Sequence, residues 1–253
     1  LILSIRGDKM MEDLHTHTYL SDGKNSTALN VRGAQALKLD CIAITDHWRP
    51  DTYDFTISKL KQEVHKAAEI SQVKVLAGAE VLCQDLAGNL TLCADEAEEL
   101  DLILVEIARD MDDLTNRVGA VDRIIDCYEQ ICYRHSFVDI LAHPFNVLGP
   151  IRVELAAVTD NHLEKLARAM LENDVCFEVM SDQWWWFQHE DLWTFTSAYT
   201  RIVRAMGELG VSFTLGSDAH SHQGVGNLSW ALGVLQRAGV ARGSIKRFSH
   251  RGS

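Results

Sequence analysis

The sequence predicts an α/β fold, a distorted seven-stranded (β/α)7 TIM-like barrel, on three observations. Short β-branched or apolar segments alternate with longer stretches of helical period along 253 residues, the pattern of repeated βα units around a parallel sheet. Seven such units can be counted, and consecutive parallel strands with right-handed crossovers curl toward closure. Polar residues capable of chemistry recur just past almost every predicted strand, as a barrel requires, whereas an open doubly wound sheet collects them mainly at one crevice.

The strands read as Glu12 to Leu14, Cys41 to Thr45, Val73 to Ala79, Leu102 to Ile107, Val138 to Ala142, Val175 to Met180 and Val211 to Gly216. Between them, Leu114, Val118, Val121, Ile125, Tyr128 and Cys132 keep the three-and-four spacing of one helix face. Leu163, Leu166, Ala167, Met170 and Leu171 do the same, with Thr159, Asp160 and Asn161 as cap candidates. Leu228, Ala231, Leu232 and Leu235 repeat the spacing near the C-terminus. No Pro/Ser-rich linker, low-complexity tract or repeat interrupts the pattern, so residues 1–253 read as a single domain. The first ten, LILSIRGDKM, read as a leader or upstream extension without the apolar core of a secretory signal.

Composition sets the class. Hydrophobic residues make up 47% and charged residues 24%, which supplies apolar surface for a large core and argues against disorder. The longest apolar runs, such as Leu102 to Val105 and Cys176 to Met180, are far too short to cross a bilayer. Six cysteines form no CxxC pair and read as reduced, mostly buried thiols of a cytoplasmic protein. A formal net charge of -12 disfavours broad attraction to nucleic acid or anionic membranes.

The residues past the strand ends carry the functional signal. They are Asp13-Leu-His15-Thr-His17 with Ser21-Asp22-Gly23, then Thr45-Asp46-His47 and Gly78-Ala79-Glu80. Ala142-His143-Pro144, Glu178-Val-Met-Ser181 and Gly216-Ser217-Asp218-Ala219-His220 follow. A His-x-His pair at a strand end directs both imidazoles to one side, because side chains two apart share a face, and Asp218 with His220 repeats that geometry. Each residue also has a plain reading. Asp22 before Gly23 suits a turn, His47 a satisfied core, Asp218 an N-cap, Glu80 an arginine partner, and His143 before Pro144 a strand terminus. Those readings must all hold independently, whereas one metal cluster accounts for them together.

HTHT followed by SDG, ITDH, GAE, AHP and SDAH, from Asp13 to His220, resembles the polymerase and histidinol phosphatase (PHP) superfamily of metal-dependent phosphoesterases. The resemblance implies a dinuclear or trinuclear site at the C-terminal ends of the barrel strands. It makes His15, His17, Glu80 and Asp218 ligands of one metal, and Asp22, His47 and His220 ligands of a second, with Glu80 bridging. His143 matches a ligand of a third. Relatives often add a histidine there, from the segment after Glu80 or the end of the fourth strand, but Gly88 to Cys93 has none and Ala108 stands near the other position. Glu106, two residues earlier on the same strand face, is the candidate replacement.

Imidazole and carboxylate donors without cysteine suit two or three divalent ions of zinc, manganese or iron. Two metals about 3.5 to 4 Å apart can bridge a water, lower its pKa and clamp an in-line displacement, the help that slow phosphate ester hydrolysis needs. The expected substrate is a small phosphorylated molecule, attacked by the bridging hydroxide, with Asp22, His220 or a metal-bound water as proton donor. Lys24, Arg49 and Arg109 are candidates to face the phosphate, and Glu178 to act behind the ligands or as a structural hydrogen bond. Trp184, Trp185, Trp186 and Phe187 follow the sixth strand and suit either a wall for a ring-bearing substrate or a homo-oligomer contact. The alternatives are an amidohydrolase-type metallohydrolase, which also opens with His-x-His, and a non-catalytic or nuclease PHP module.

Overall fold

The computed structural model describes residues 11–107, 119–146, 153–187 and 189–251. Arg109, and Leu114 and Val118 of the first predicted helix, lie outside them. The strands are β1 (Glu12–Asp13), β2 (Cys41–Ile44), β3 (His47–Trp48), β4 (Lys74–Cys83), β5 (Leu102–Ile107), β6 (Ile140–Leu141), β7 (Cys176–Met180) and β8 (Phe213–Gly216). Seven of them pair in parallel in the order β1-β2-β4-β5-β6-β7-β8, and β3 lies off this path against β4. The ends of the row meet. The Leu14 amide donates to Leu215 O at 3.1 Å and the His17 amide to Ala219 O at 2.9 Å, so the sheet is a nearly closed seven-stranded barrel.

Period-two alternation explains the two sides of the wall. Cys41 and Ala43 face inward with Leu14, Leu76, Leu102, Leu104, Ile140, Ala142 and Cys176, while Ile42 and Ile44 face outward against helix residues such as Val31 and Leu60. Phe248, from the C-terminal segment, joins the interior cluster, and its backbone amide donates to Glu12 at 2.8 Å. That segment was not foreseen as part of the barrel.

The helices are α1 (Thr27–Ala36), α2 (Ile57–Ala68), α3 (Ala94–Ala97), α4 (Ala120–Arg134), α5 (Asp160–Glu172), α6 (Leu192–Glu208) and α7 (Ser229–Ala238). In α5 the apolar face Leu163, Leu166, Ala167 and Met170 is buried, and Thr159 caps it by accepting from the His162 amide. In α2, Ile57, Leu60, Val64 and Ala67 form the buried stripe behind the cap Thr56. No helix of the described residues is long and apolar enough to cross a membrane.

Strand limits differ from expectation where pairing overrides local pattern. The strand expected at Val73 to Ala79 runs on to Cys83, because β3 pairs His47 with Glu80 and Trp48 with Val81 while β5 pairs as far as Cys83 with Ile107. Glu80 is therefore inside a strand rather than beyond one. β1 and β2 end one residue early, at Asp13 and Ile44, and Val138 to Ala142 contracts to Ile140–Leu141.

Candidate metal centre

The C-terminal ends of the strands bring eight candidate ligands together. His15 and His17 come from the segment after β1, His47 from β3, Glu80 from β4, His143 from the turn after β6, and Asp218 and His220 from the loop after β8. Asp22 arrives on the loop before α1. Donor atoms within 4.8 Å of one another define four metal-capable groups among the described residues. They are His17 with Asp22, His47 and His220; His15 with His17 and Asp218; His15 with Glu80 and His143; and His47 with Glu80 and Glu106.

Glu80, fully buried, is the centre of the cluster. Its Oε1 lies 2.9 Å from His143 Nε2 and 3.4 Å from His15 Nε2. Its Oε2 lies 2.7 Å from His47 Nδ1 and 3.6 Å from His17 Nε2. Asp218 Oδ1 stands 3.0 Å from His17 Nε2 and 3.5 Å from His15 Nε2. Asp22 reaches His220 Nε2 at 3.2 Å and His47 Nε2 at 3.5 Å. The imidazoles crowd as closely as 4.3 Å between the ring centroids of His17 and His220.

The donor set fits divalent ions. His15 Nε2, both nitrogens of His17, His47 Nδ1, Glu80 Oε2 and His143 Nδ1 are buried without a hydrogen-bond partner, although His47 Nδ1 and Glu80 Oε2 are only 2.7 Å apart. Orphaned lone pairs converging in this way cost free energy unless a cation joins them. Two of the eight candidates also hold left-handed backbone, His143 at φ 29° and Asp218 at φ 53°, conformations that cluster at functional sites.

Electrostatics follow the same convergence. Burial opposes protonation of His15, but Glu178, Glu80 and Asp218 outweigh it and raise its pKa well above the ordinary range. Burial likewise opposes His47 and His143, and carboxylates, chiefly Glu80, raise both, His143 to about 9. His17 goes the other way, lowered by burial and by the neighbouring His47. Burial acts to raise Glu80, Asp218 and Asp22, yet the histidines hold all three well below the usual carboxylate range.

Three further carboxylates hold the candidate ligands in this geometry. Glu178 on β7 takes the Nδ1 proton of His15 at 2.9 Å and the backbone N–H of His143 at 2.7 Å, which leaves His15 Nε2 turned to the cluster. Asp46 accepts from the Thr18 amide and hydroxyl, both at 2.7 Å, and from the Ser21 hydroxyl at 2.6 Å, so it holds the loop that carries Asp22. In that loop a Cβ on Gly23 would meet the His17 backbone at 2.6 Å. Asp13 accepts from the Ser217 amide and hydroxyl and the Gly226 amide, tying β1 to the loop that presents Asp218. Glu178 was read from the sequence as standing behind the candidate ligands or as a structural hydrogen bond, and it bonds both the His15 ring and the His143 backbone, whereas Asp13 and Asp46 were read only as motif neighbours.

The remaining candidates divide. Arg49 reaches the cluster, with Nη2 on Glu106 Oε1. Glu106 lies with His47 and Glu80, 3.2 Å from His47 Nδ1, and shares no metal-capable group with His143. The side chain of Lys24 is exposed, and its backbone amide donates to His220 O at 2.8 Å. His222, two residues beyond His220, packs its ring nitrogen on Asn25 at 3.1 Å. Of the aromatic run, Trp185 is exposed and Phe187 is buried against Phe195, with ring centroids 4.8 Å apart.

Residues 13–182 match the family model described as PHP domain. The chain belongs to the PHP family. The match decides against the amidohydrolase alternative. Among relatives, the PHP chain is 27% identical over 240 residues to a protein named probable phosphatase from Thermoanaerobacter sp. (strain X514), covering 92% of this chain and 88% of the other. It is 25% identical to another so named from Shewanella pealeana, covering 91% and 85%. Its fold resembles histidinol phosphate phosphatase from Lactococcus lactis, solved with zinc, L-histidinol and phosphate, at a TM-score of 0.69 and 16% identity over 91% of this chain and 94% of that one. A chain from the metal-dependent tyrosine phosphatases YwqE of Bacillus subtilis and CpsB of Streptococcus pneumoniae gives a TM-score of 0.54 at 17% identity, over 92% and 90%.

Proposed function

We propose that this PHP enzyme hydrolyses a small phosphate monoester with metal-activated water. The observation that carries the reading is the convergence of five histidines and three carboxylates around buried, unpartnered donor atoms. His15, His17, Glu80 and Asp218 would hold one divalent ion, and Asp22, His47 and His220 a second, with zinc, manganese and iron all suited to such donors. Ions held there supply Lewis acidity, lower the pKa of water and offset charge on the phosphoryl oxygens. Water adds to phosphorus, the ester P–O bond breaks, and the leaving oxygen takes a proton to give an alcohol and inorganic phosphate.

Asp22 and His220 are the ligands most open to solvent, with side chains 40% and 37% exposed. They therefore stand where a leaving oxygen would emerge and can position a water that passes it a proton. A pocket of about 270 Å³ is lined by Asp182, Trp184, Trp185, Asn227 and Trp230, among others. Asp182 is close enough to the centre for Asp218, after burial, to raise its pKa. That volume suits the alcohol part of a small ester, and indole faces suit a ring.

The similarity to proteins named probable phosphatase supports the same reading. Metal analysis of the purified protein, followed by a screen of phosphate monoesters, diesters, amides and lactones, tests it. Turnover of monoesters that disappears with metal in a His15→Ala, His17→Ala double variant is expected; full activity in that variant without metal would sink the reading. Fluorescence titration with single-stranded DNA at low and high salt separates a nuclease, which the net charge of -12 disfavours.

A further inference from the structure

One of the four metal-capable groups already contains a cation. Glu106, on β5 and almost fully buried, carries the guanidinium of Arg49 on its Oε1. The same oxygen lies 3.2 Å from His47 Nδ1, which in turn is 2.7 Å from Glu80 Oε2. Strand pairing fixes this adjacency, since β3 sets His47 opposite Glu80 and β5 sets Glu106 beside Leu82 on β4. Arg49 follows β3 directly, and its own carbonyl is held by the Thr52 and Tyr53 amides, both at 2.9 Å.

A guanidinium keeps its charge at any working pH. A divalent ion placed among His47, Glu80 and Glu106 would face that charge at contact distance and would compete with it for the Glu106 carboxylate. Arg49 also has unused capacity. Its Nε is buried without a partner, and 21% of its side chain reaches solvent. Forked N–H donors beside a metal cluster match the oxygens of a tetrahedral phosphate.

The other donors bound the number of ions. With Nδ1 committed to Glu178, His15 offers a single nitrogen, and if that serves the ion held with His17 and Asp218, only Glu80 and His143 remain of the group around His143. We propose that the guanidinium of Arg49, anchored by Glu106, fills the His47–Glu80–Glu106 position in place of a metal ion and binds the phosphate of the substrate. The enzyme then works with two ions and one fixed organic cation. This rests on the phosphoesterase reading only for the identity of the anion.

The test counts ions and measures binding of inorganic phosphate to the metal-saturated protein, neither of which needs turnover. Wild type should saturate at two ions. Arg49→Met removes the charge but keeps much of the stem, and should take up an additional ion through the released Glu106; loaded with only two ions, it should bind phosphate about tenfold or more weakly. Arg49→Lys keeps a point charge without the fork; it should hold two ions, fold as wild type does by circular dichroism, and still bind phosphate less tightly. Three ions in wild type, an unchanged ion count in Arg49→Met, or unchanged phosphate affinity in both variants overturns the proposal. If the Arg49 results come as expected and no phosphate ester is turned over, the functional reading fails while the assignment of Arg49 stands.

Discussion

Glu178 on β7 and His15 just after β1 are 163 residues apart, yet the carboxylate accepts from the imidazole Nδ1–H at 2.9 Å with both groups buried. The second oxygen of Glu178 accepts the backbone N–H of His143 at 2.7 Å. One side chain therefore orients one candidate ligand and pins the strained turn that presents another. In Glu178→Gln, an amide that accepts from His15 must direct its NH2 at the His143 N–H, so one of the two buried bonds is lost. Metal affinity should fall by about 10- to 100-fold, the usual effect of losing a partner behind a ligand, with little change in secondary structure. Competition titration against a chelating indicator measures this, and wild-type affinity in the variant would remove Glu178 from the centre's design.

The candidate ligands could be picked out in the sequence because their geometry is local. His15 with His17, and Asp218 with His220, are two apart at strand ends, and the period of a strand alone puts each pair on one side. The residues behind them are different. Asp46 acts on a loop 25 to 28 residues away, Glu178 on a histidine 163 away, and Asp13 on an amide 213 away. Those partnerships exist only once the barrel closes. β3 was hidden for the same reason, since two residues have no pattern of their own and His47–Trp48 is a strand only because β4 lies beside it. Phe248 likewise reads as an apolar residue in a polar tail until Glu12 receives its amide.

Gly216 tests how little room the centre leaves. A Cβ there would collide with Glu178 Oε1 and stand 2.7 Å from His15 Cβ, neither of which can move without breaking the bond between them. Gly216→Ala should therefore lose metal and activity together and lower the melting temperature. Gly233, inside α7 with nothing within 4 Å of a Cβ, is the matched control. Gly233→Ala should gain about 0.5 to 1 kcal/mol from helix propensity and keep full metal content. Paired thermal melts and metal analysis decide the matter; equal behaviour of the two variants would contradict the packing argument.

Asp46 should matter through the loop it holds rather than through contact with substrate. It takes four hydrogen bonds from Thr18 and Ser21, and Asp22 follows directly. Asp46→Ala leaves those donors buried or half-buried without an acceptor, at a cost of about 1–3 kcal/mol for an unmet group, and frees Asp22 to leave His47 and His220. The ion held by Asp22, His47 and His220 should be lost first on dialysis, with the ion at His15, His17 and Asp218 retained. Simultaneous loss of both, at the same chelator concentration, would show that the loop does not act on one position selectively.

Protonation and metal binding compete for the same histidines, which fixes the sign of the pH dependence. His143, raised to about 9 from an unfolded value near 6.5, contributes stability to the metal-free protein that is fully present below pH 6.5. That contribution is lost as pH rises through about 9. His15 and His47 are raised as well and act in the same direction. A bound ion needs these rings neutral, so apparent metal affinity should climb through the window in which the metal-free protein weakens. The melting temperature of the metal-free protein should therefore fall from pH 6.5 to 9, and that of the loaded protein should fall less or not at all. Calorimetric titration with metal at pH 7, in buffers of different ionisation enthalpy, should register release of about one proton or more per chain. No release would mean that the rings are already neutral before metal arrives, and that the carboxylates do not hold protons on them.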